Sequence, residues 1–117
     1  IVRTPLCFGF LTGEYSTEIE FDATDSRRRW QSEQIQRWSD AGRLFASSLK
    51  TSQEQTNAQL ALRYCISYDS VASVIPGMLN WEHVEENVQA SQMGPLSNED
   101  RLMAEKTYSE NIFFMGS

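Results

Sequence analysis

The sequence predicts an α/β fold in which two short parallel strands are joined by a helical crossover, and three observations carry that prediction. Val71-Ala72-Ser73-Val74-Ile75 is a largely apolar, β-branched run bounded by Asp69-Ser70 and Pro76-Gly77. That is the pattern of a short strand covered on both faces, and hence of parallel pairing. The chain opens on Ile1-Val2-Arg3 with no turn before it, which reads as the tail of a strand begun upstream. Between the two lie helical patterns long enough for the crossover that parallel strands require.

Thr4 to Gly13 is expected to be a loop, because Pro5, Gly9 and Gly13 interrupt Leu6, Phe8, Phe10 and Leu11, which are read as buried anchors. Residues 14–31 are polar and aperiodic and end in Arg27-Arg28-Arg29, so they read as a long surface excursion. The spacing predicts a helix from about Glu33 to Leu49, with Ser32 as cap and Ile35, Trp38, Phe45 and Leu49 inward. Thr56-Asn57-Ala58-Gln59 is a capping box, and Leu62, Cys65 and Ile66 give the helix it opens a buried stripe.

After the second strand, Pro76-Gly77 breaks the chain and Asn80 stands where an N-cap belongs. Glu82 falls in the first turn of the following helix, and Trp81, Val84 and Val88 recur at its spacing. Ser97 caps a last helix to about Ser109, with Leu102 and Met103 inward. Two parallel strands leave unpaired edges, so further strands are expected from elsewhere. In α/β sheets ligands gather at the carboxyl ends of strands, where helix N-termini present free N–H groups, and the loop 76–80 lies at such an end.

Composition narrows the function. At 117 residues the chain is one domain or a piece of one. A net charge of −6 with a pI near 4.7 and a single short basic run excludes a nucleic-acid groove. No run approaches the ~20 apolar residues that cross a bilayer, and no leader pattern opens the chain. A soluble cytoplasmic protein is expected. Cys7 and Cys65 are far apart and lack metal-ligand spacing, so they read as reduced thiols; with one histidine, a zinc site is not expected.

Four separated motifs resemble the aldo-keto reductases, in that family's order and spacing. Thr4-Pro5-Leu6-Cys7-Phe8-Gly9-Phe10-Leu11-Thr12-Gly13-Glu14-Tyr15 resembles the loop after the seventh strand, written Ser-Pro-Leu-x-x-Gly-x-Leu-Thr-Gly-Lys-Tyr. Asp25-Ser26-Arg27 is similar to the Asp-His-Arg that follows it. Ala58-Gln59-Leu60-Ala61-Leu62-Arg63-Tyr64 resembles the penultimate-helix signature, and residues 75–87 resemble the eighth-strand Ile-Pro-Gly…Val-Glu-Glu-Asn motif. The resemblance covers nearly the whole chain. It implies the carboxyl-terminal part of a (β/α)8 TIM barrel, from the end of strand seven onward, here helix-rich with two short parallel strands.

The family's catalytic Asp, Tyr, Lys and His lie on earlier strands and have no counterpart here, so this segment alone is expected to be inactive. The intact parent would reduce an aldehyde or ketone with NADP(H) or NAD(H). By the resemblance Thr4, Pro5, Leu6, Cys7 and Phe8 line the pyrophosphate and nicotinamide ribose, partly through main-chain N–H groups, and Arg27 is a further cofactor candidate. Gly77, Leu79 and His83 flank the adenosine phosphate, while Glu86 and Asn87 meet the adenine. Gly77 would let the backbone approach closely, and Asn87 offers donor and acceptor to a base edge.

Some positions depart from the family pattern. Arg3 replaces the ring that stacks on nicotinamide, and Glu14 replaces a Lys that contacts the pyrophosphate. Gly77, Met78 and His83 replace Lys, Ser and Arg of NADPH-selective members, and Glu82, Glu85 and Glu86 are close in sequence, so weak NADPH selectivity is expected. Taken alone, residues 75–87 also suit a plain strand, turn and helix with a solvated acidic face. Cys7 and Phe8 suit core packing as well as ligand contact, His83 suits a surface histidine, and Trp30, Trp38 and Trp81 are read as packing residues. A second functional class also fits: a helical interaction domain that self-associates through exposed barrel-facing surface.

Overall fold

The structure, a computed structural model, describes residues 1–15, 20–49 and 54–116. Strand β1 (Val2–Arg3) pairs in parallel with β2 (Val74–Ile75), Val2 opposite Val74 and Arg3 opposite Ile75. The crossover carries helices α1 (Ser32–Ser48) and α2 (Asn57–Cys65); α3 (Trp81–Met93) and α4 (Asn98–Glu110) follow β2. Order and parallel pairing are those predicted. The second strand is shorter and barer, for only Val74 and Ile75 of the 71–75 run pair and Ile75 is 60% exposed. It is not covered on both faces, and its outer edge is also open, since the sheet has two strands among the described residues.

Helix α1 starts one residue earlier than expected. Ser32 is its first helical residue rather than its cap, and the extended Gln31 holds the cap position without a side-chain bond. Ile35 and Trp38 are buried as predicted, whereas Phe45 and Leu49 are only half-buried. The inner face broadens instead through Ala41 and Gly42, and a Cβ on Gly42 would lie 2.4 Å from the Leu11 carbonyl oxygen. Only glycine lets the Phe10–Thr12 turn approach the helix this closely.

Helix α2 opens on the predicted box: Gln59 N–H donates to Thr56 Oγ1 at 3.1 Å, and Thr56 N–H donates to Gln59 Oε1 at 3.0 Å. It buries Leu60, Ala61 and Leu62, but Cys65 and Ile66, at its last turn and C-cap, are half-buried. Ser97 caps α4, which buries Asp100, Ala104 and Thr107. That stripe leaves Leu102 54% exposed and Met103 half-buried, so the inward prediction for this pair is corrected. The buried stripe of α4 is thus made of small and polar residues and not of its large apolar ones.

The core forms around Phe10, fully buried between Ile35 and Trp38, with Cys7, Tyr15, Phe21 and Trp30 packed on it. Residues 14–31 are therefore more than a surface excursion, although 16–19 of that stretch lie outside the described residues. Tyr15 and Phe21 meet Phe10 edge-on at 5.7 and 6.0 Å, and Trp30 meets Trp38 at 4.9 Å. Aromatic anchors this far apart in sequence produce no period, which is why the stretch reads as structureless.

The tail after α4 docks back on α1 through the Gln34 side-chain amide, which copies a backbone pair. Its Nε2 donates to the Phe113 carbonyl at 2.6 Å, and its Oε1 accepts from Met115 N–H at 2.7 Å. Phe113 stacks on Phe45 at 5.3 Å.

Candidate functional site

The parallel register sends the loop 4–9 and the loop 76–80 off the same edge of the sheet, each from the carboxyl end of its strand. In the first loop Thr4, Cys7 and Phe8 are left-handed, at φ 56°, 49° and 58°. Non-glycine residues there cost about 1–3 kcal/mol each and persist only where the surroundings enforce them. The enforcement is visible. Cys7 N–H donates to Thr4 O, Gly9 N–H to Leu6 O, and Phe10 N–H to Cys7 O, all within 3.0–3.2 Å. Among the described residues the Leu6 and Phe8 amides have no acceptor, so two main-chain donors remain for a ligand.

Thr4 is exposed and Pro5 buried, while Leu6 and Cys7 are half-buried. Burial pushes the Cys7 thiol up to about 11, so it stays protonated and packs against the core instead of acting as a nucleophile. The Phe8 ring, 39% exposed, lies 5.8 Å from Trp30 and 6.0 Å from Trp38. Both side chains thus pack. What the loop can offer a ligand is its main chain.

Arg27 is predicted at the cofactor, and the structure occupies it with its own surroundings. Its Nε donates to Asp25 at 3.0 Å, Nη2 to Asp25 at 2.6 Å and Nη1 to the Phe8 carbonyl at 3.3 Å. The guanidinium lies over the rings of Tyr15 and Phe21, at 4.6 and 4.5 Å, and these two rings also meet each other at 5.9 Å. Asp25 also caps the 3-10 turn Ser26–Arg29 by accepting from Arg27 N–H at 2.9 Å, and these bonds hold its carboxyl at about 2. The roles of Tyr15, Phe21 and Asp25 escape the sequence reading. An Asp two residues before its own backbone partner is the one local signal that points to them.

The second loop is built from short-range bonds. Asn80 Oδ1 accepts from His83 N–H at 2.9 Å, and His83 Nδ1 accepts from Leu79 N–H at 3.2 Å, so the imidazole fastens the loop and keeps Nε2 as its donor. Gly77 is exposed and a Cβ there would touch nothing within 4 Å; Leu79 is 87% and Trp81 72% exposed. Trp81 is not the packing residue predicted, because α3 buries only Ala90, about two and a half turns further along. Half-buried Glu86 and Asn87 face opposite fates. The Glu86 carbonyl accepts from Gln59 at 3.2 Å, tying α3 to α2, whereas Asn87 Nδ2 is buried without a partner among the described residues. An orphaned amide donor of this kind calls for an acceptor.

Glu54, Glu82, Glu85 and Glu86, with Gln59 and Gln89, line an open concavity of about 400 Å³. Arg3 and Glu14, the two departures in the first loop, are both exposed, and Met78 is half exposed. A separate apolar cavity of about 310 Å³ lies between β1, α1, α2 and α4, lined by Cys7, Cys65 and Tyr64 among others.

Two strand-to-loop exits on one sheet edge, with the second loop opening directly on a capped helix, define a protein of the parallel β/α class whose ligand-ready groups sit at the strands' carboxyl ends. A model of the aldo/keto reductase family matches residues 1–107 of the 117. The chain belongs to that family, which carries a (β/α)8 fold and an oxidoreductase origin. No solved structure matches it.

Proposed function

We propose that this chain is the cofactor-holding, carboxyl-terminal portion of an aldo-keto reductase barrel and that the reacting groups belong to the strands before it. The register of β1 against β2 carries the reading, since it starts the loops at residues 4 and 76 from the same carboxyl end of the sheet although they are some seventy positions apart. The free Leu6 and Phe8 amides suit phosphate oxygens, and Asn87, whose buried Nδ2 has no partner among the described residues, would meet an adenine acceptor by turning that amide outward. Bound there, a nicotinamide dinucleotide supplies the hydride for a carbonyl substrate. The chain's own work is to bind and orient. Glu82, Glu85 and Glu86 make the adenosine end a poor place for a dianionic 2′-phosphate, so selectivity for NADPH over NADH is expected to be weak.

Each loop has an indole reporter, Trp30 beneath Phe8 and Trp81 at the start of α3. Titrating the full-length protein that contains this segment with NADH and NADPH should quench tryptophan emission with comparable affinities. No quench with either would sink the cofactor reading; a preference for NADPH of several hundred-fold would sink the selectivity alone. The exposure of Ile1, Ile75, Leu79 and Trp81 favours a second reading, self-association of the isolated segment, which light scattering tests directly.

A further inference from the structure

We propose that Arg27 is a positioning residue, a latch that holds the left-handed main chain at Cys7–Phe8 in place from outside, and that it acts on the dinucleotide only through that loop. The role in binding rests on the cofactor reading above. Three of the five guanidinium N–H groups have partners in the protein: two on Asp25 and one on the Phe8 carbonyl. Its Cζ also packs over the neighbouring rings of Tyr15 and Phe21 at 4.6 and 4.5 Å, which adds aromatic contacts to those hydrogen bonds. A Cβ on Gly9 would lie 3.1 Å from Tyr15 and 3.6 Å from Arg27 Nη1, so the latch closes directly on the loop backbone.

Among the described residues, that Nη1 bond is the only side-chain hydrogen bond reaching residues 4–8 from a distant part of the chain. Asp25 sets the guanidinium's orientation and also caps the turn that carries it, so loop geometry depends on a carboxylate whose own bonds run to Arg27. A positive charge alone would not do this work, because lysine lacks the planar fork that can serve Asp25 and Phe8 together.

The test uses the full-length protein with Asp25→Asn, Arg27→Gln and, as a control on the exposed neighbour, Arg28→Gln. Hydrogen exchange without ligand and NADH affinity at two salt concentrations are the readouts. Asp25→Asn and Arg27→Gln should each speed exchange at Cys7, Gly9 and Phe10 by about tenfold, the loss of roughly one charge-assisted hydrogen bond. Both should weaken NADH and NADPH by similar factors, leaving their ratio and the salt slope unchanged, while Arg28→Gln changes nothing. Should Arg27→Gln fail to fold, Arg27→Lys takes its place with the same expectation. Weaker binding in the Arg27 variant with normal exchange, and normal binding in Asp25→Asn, would overturn the proposal and return Arg27 to direct contact. If the wild type binds neither dinucleotide the cofactor reading falls, yet the exchange data still decide the latch.

Discussion

The two loops that leave the sheet side by side are held in opposite ways. Residues 4–13 are caged by distant partners: Phe10 sits fully buried among Ile35, Trp38, Tyr15 and Phe21, Arg27 reaches back nineteen positions to Phe8, and Gly42 admits the turn to the face of α1. Residues 76–83 are held by neighbours three and four positions away, through Asn80 and His83, and leave Leu79 and Trp81 open. One half of the candidate site is therefore a product of tertiary packing, and the other of local capping. The strained half is the one with long-range support, as backbone in the left-handed region requires.

The largest test of that contrast is Phe10→Ala. Emptying a fully buried aromatic position should cost about 3–5 kcal/mol, read as a lower urea midpoint. Because Trp38 touches Phe10 and Trp30 touches Trp38, the near-ultraviolet signal of the cage should fall with it, while capping around Asn80 stays intact as judged by exchange at the His83 amide. A cost below about 1 kcal/mol would mean that the cage is not what fixes the first loop.

Asn80→Ala comes next and addresses the local half. Losing the cap bond to His83 N–H should cost about 1 kcal/mol, and Asn80→Ser should restore most of it. Exchange should quicken over the first turn of α3 and remain unchanged at Cys7 and Phe10. Equal quickening in both loops would show that the shared sheet edge couples them and would dissolve the contrast.

The same division explains what the sequence makes legible. Helix starts at Thr56, Asn80 and Ser97 are readable because an N-cap is a contact over three residues, and all three are found. The pairing of β1 with β2 follows from run type and crossover length. What escapes is whatever depends on a partner far along the chain. Tyr15, Phe21 and Trp30 anchor a stretch that has no period, and Gln34 binds a tail whose peptide groups carry no side-chain signature. Leu102 and Trp81 mislead for the complementary reason, since an apolar residue at helical spacing does not say which stripe its helix will turn inward. Thr4, Pro5, Leu6, Cys7 and Phe8 are found as a motif, and main-chain N–H contact is expected of them, but which amides are left without an acceptor depends on left-handed backbone that sequence pattern does not reveal.

The smallest effect separates the halves by pH. The Arg27 side chain, and then its backbone amide, hold the Asp25 carboxyl down at about 2 against an ordinary 3.8. A carboxyl whose folded value is depressed contributes stability that is complete above its unfolded value and lost as pH falls through the folded one. The contribution of Asp25 is therefore full at neutral pH and disappears between about 3.8 and about 2. Asp40 is also lowered, by Gln36 first and then by Arg43, so wild-type acid sensitivity mixes the two. Subtracting the urea midpoint of Asp25→Asn from that of the wild type isolates the Arg27 partner, and this difference should be constant above pH ~5 and shrink toward zero near pH 2. The Asn80 cap carries no charge, so the deficit of Asn80→Ala should stay level over the same range. A flat Asp25 difference would show that the carboxylate is not what orients Arg27, and the first loop would then rest on its aromatic cage alone.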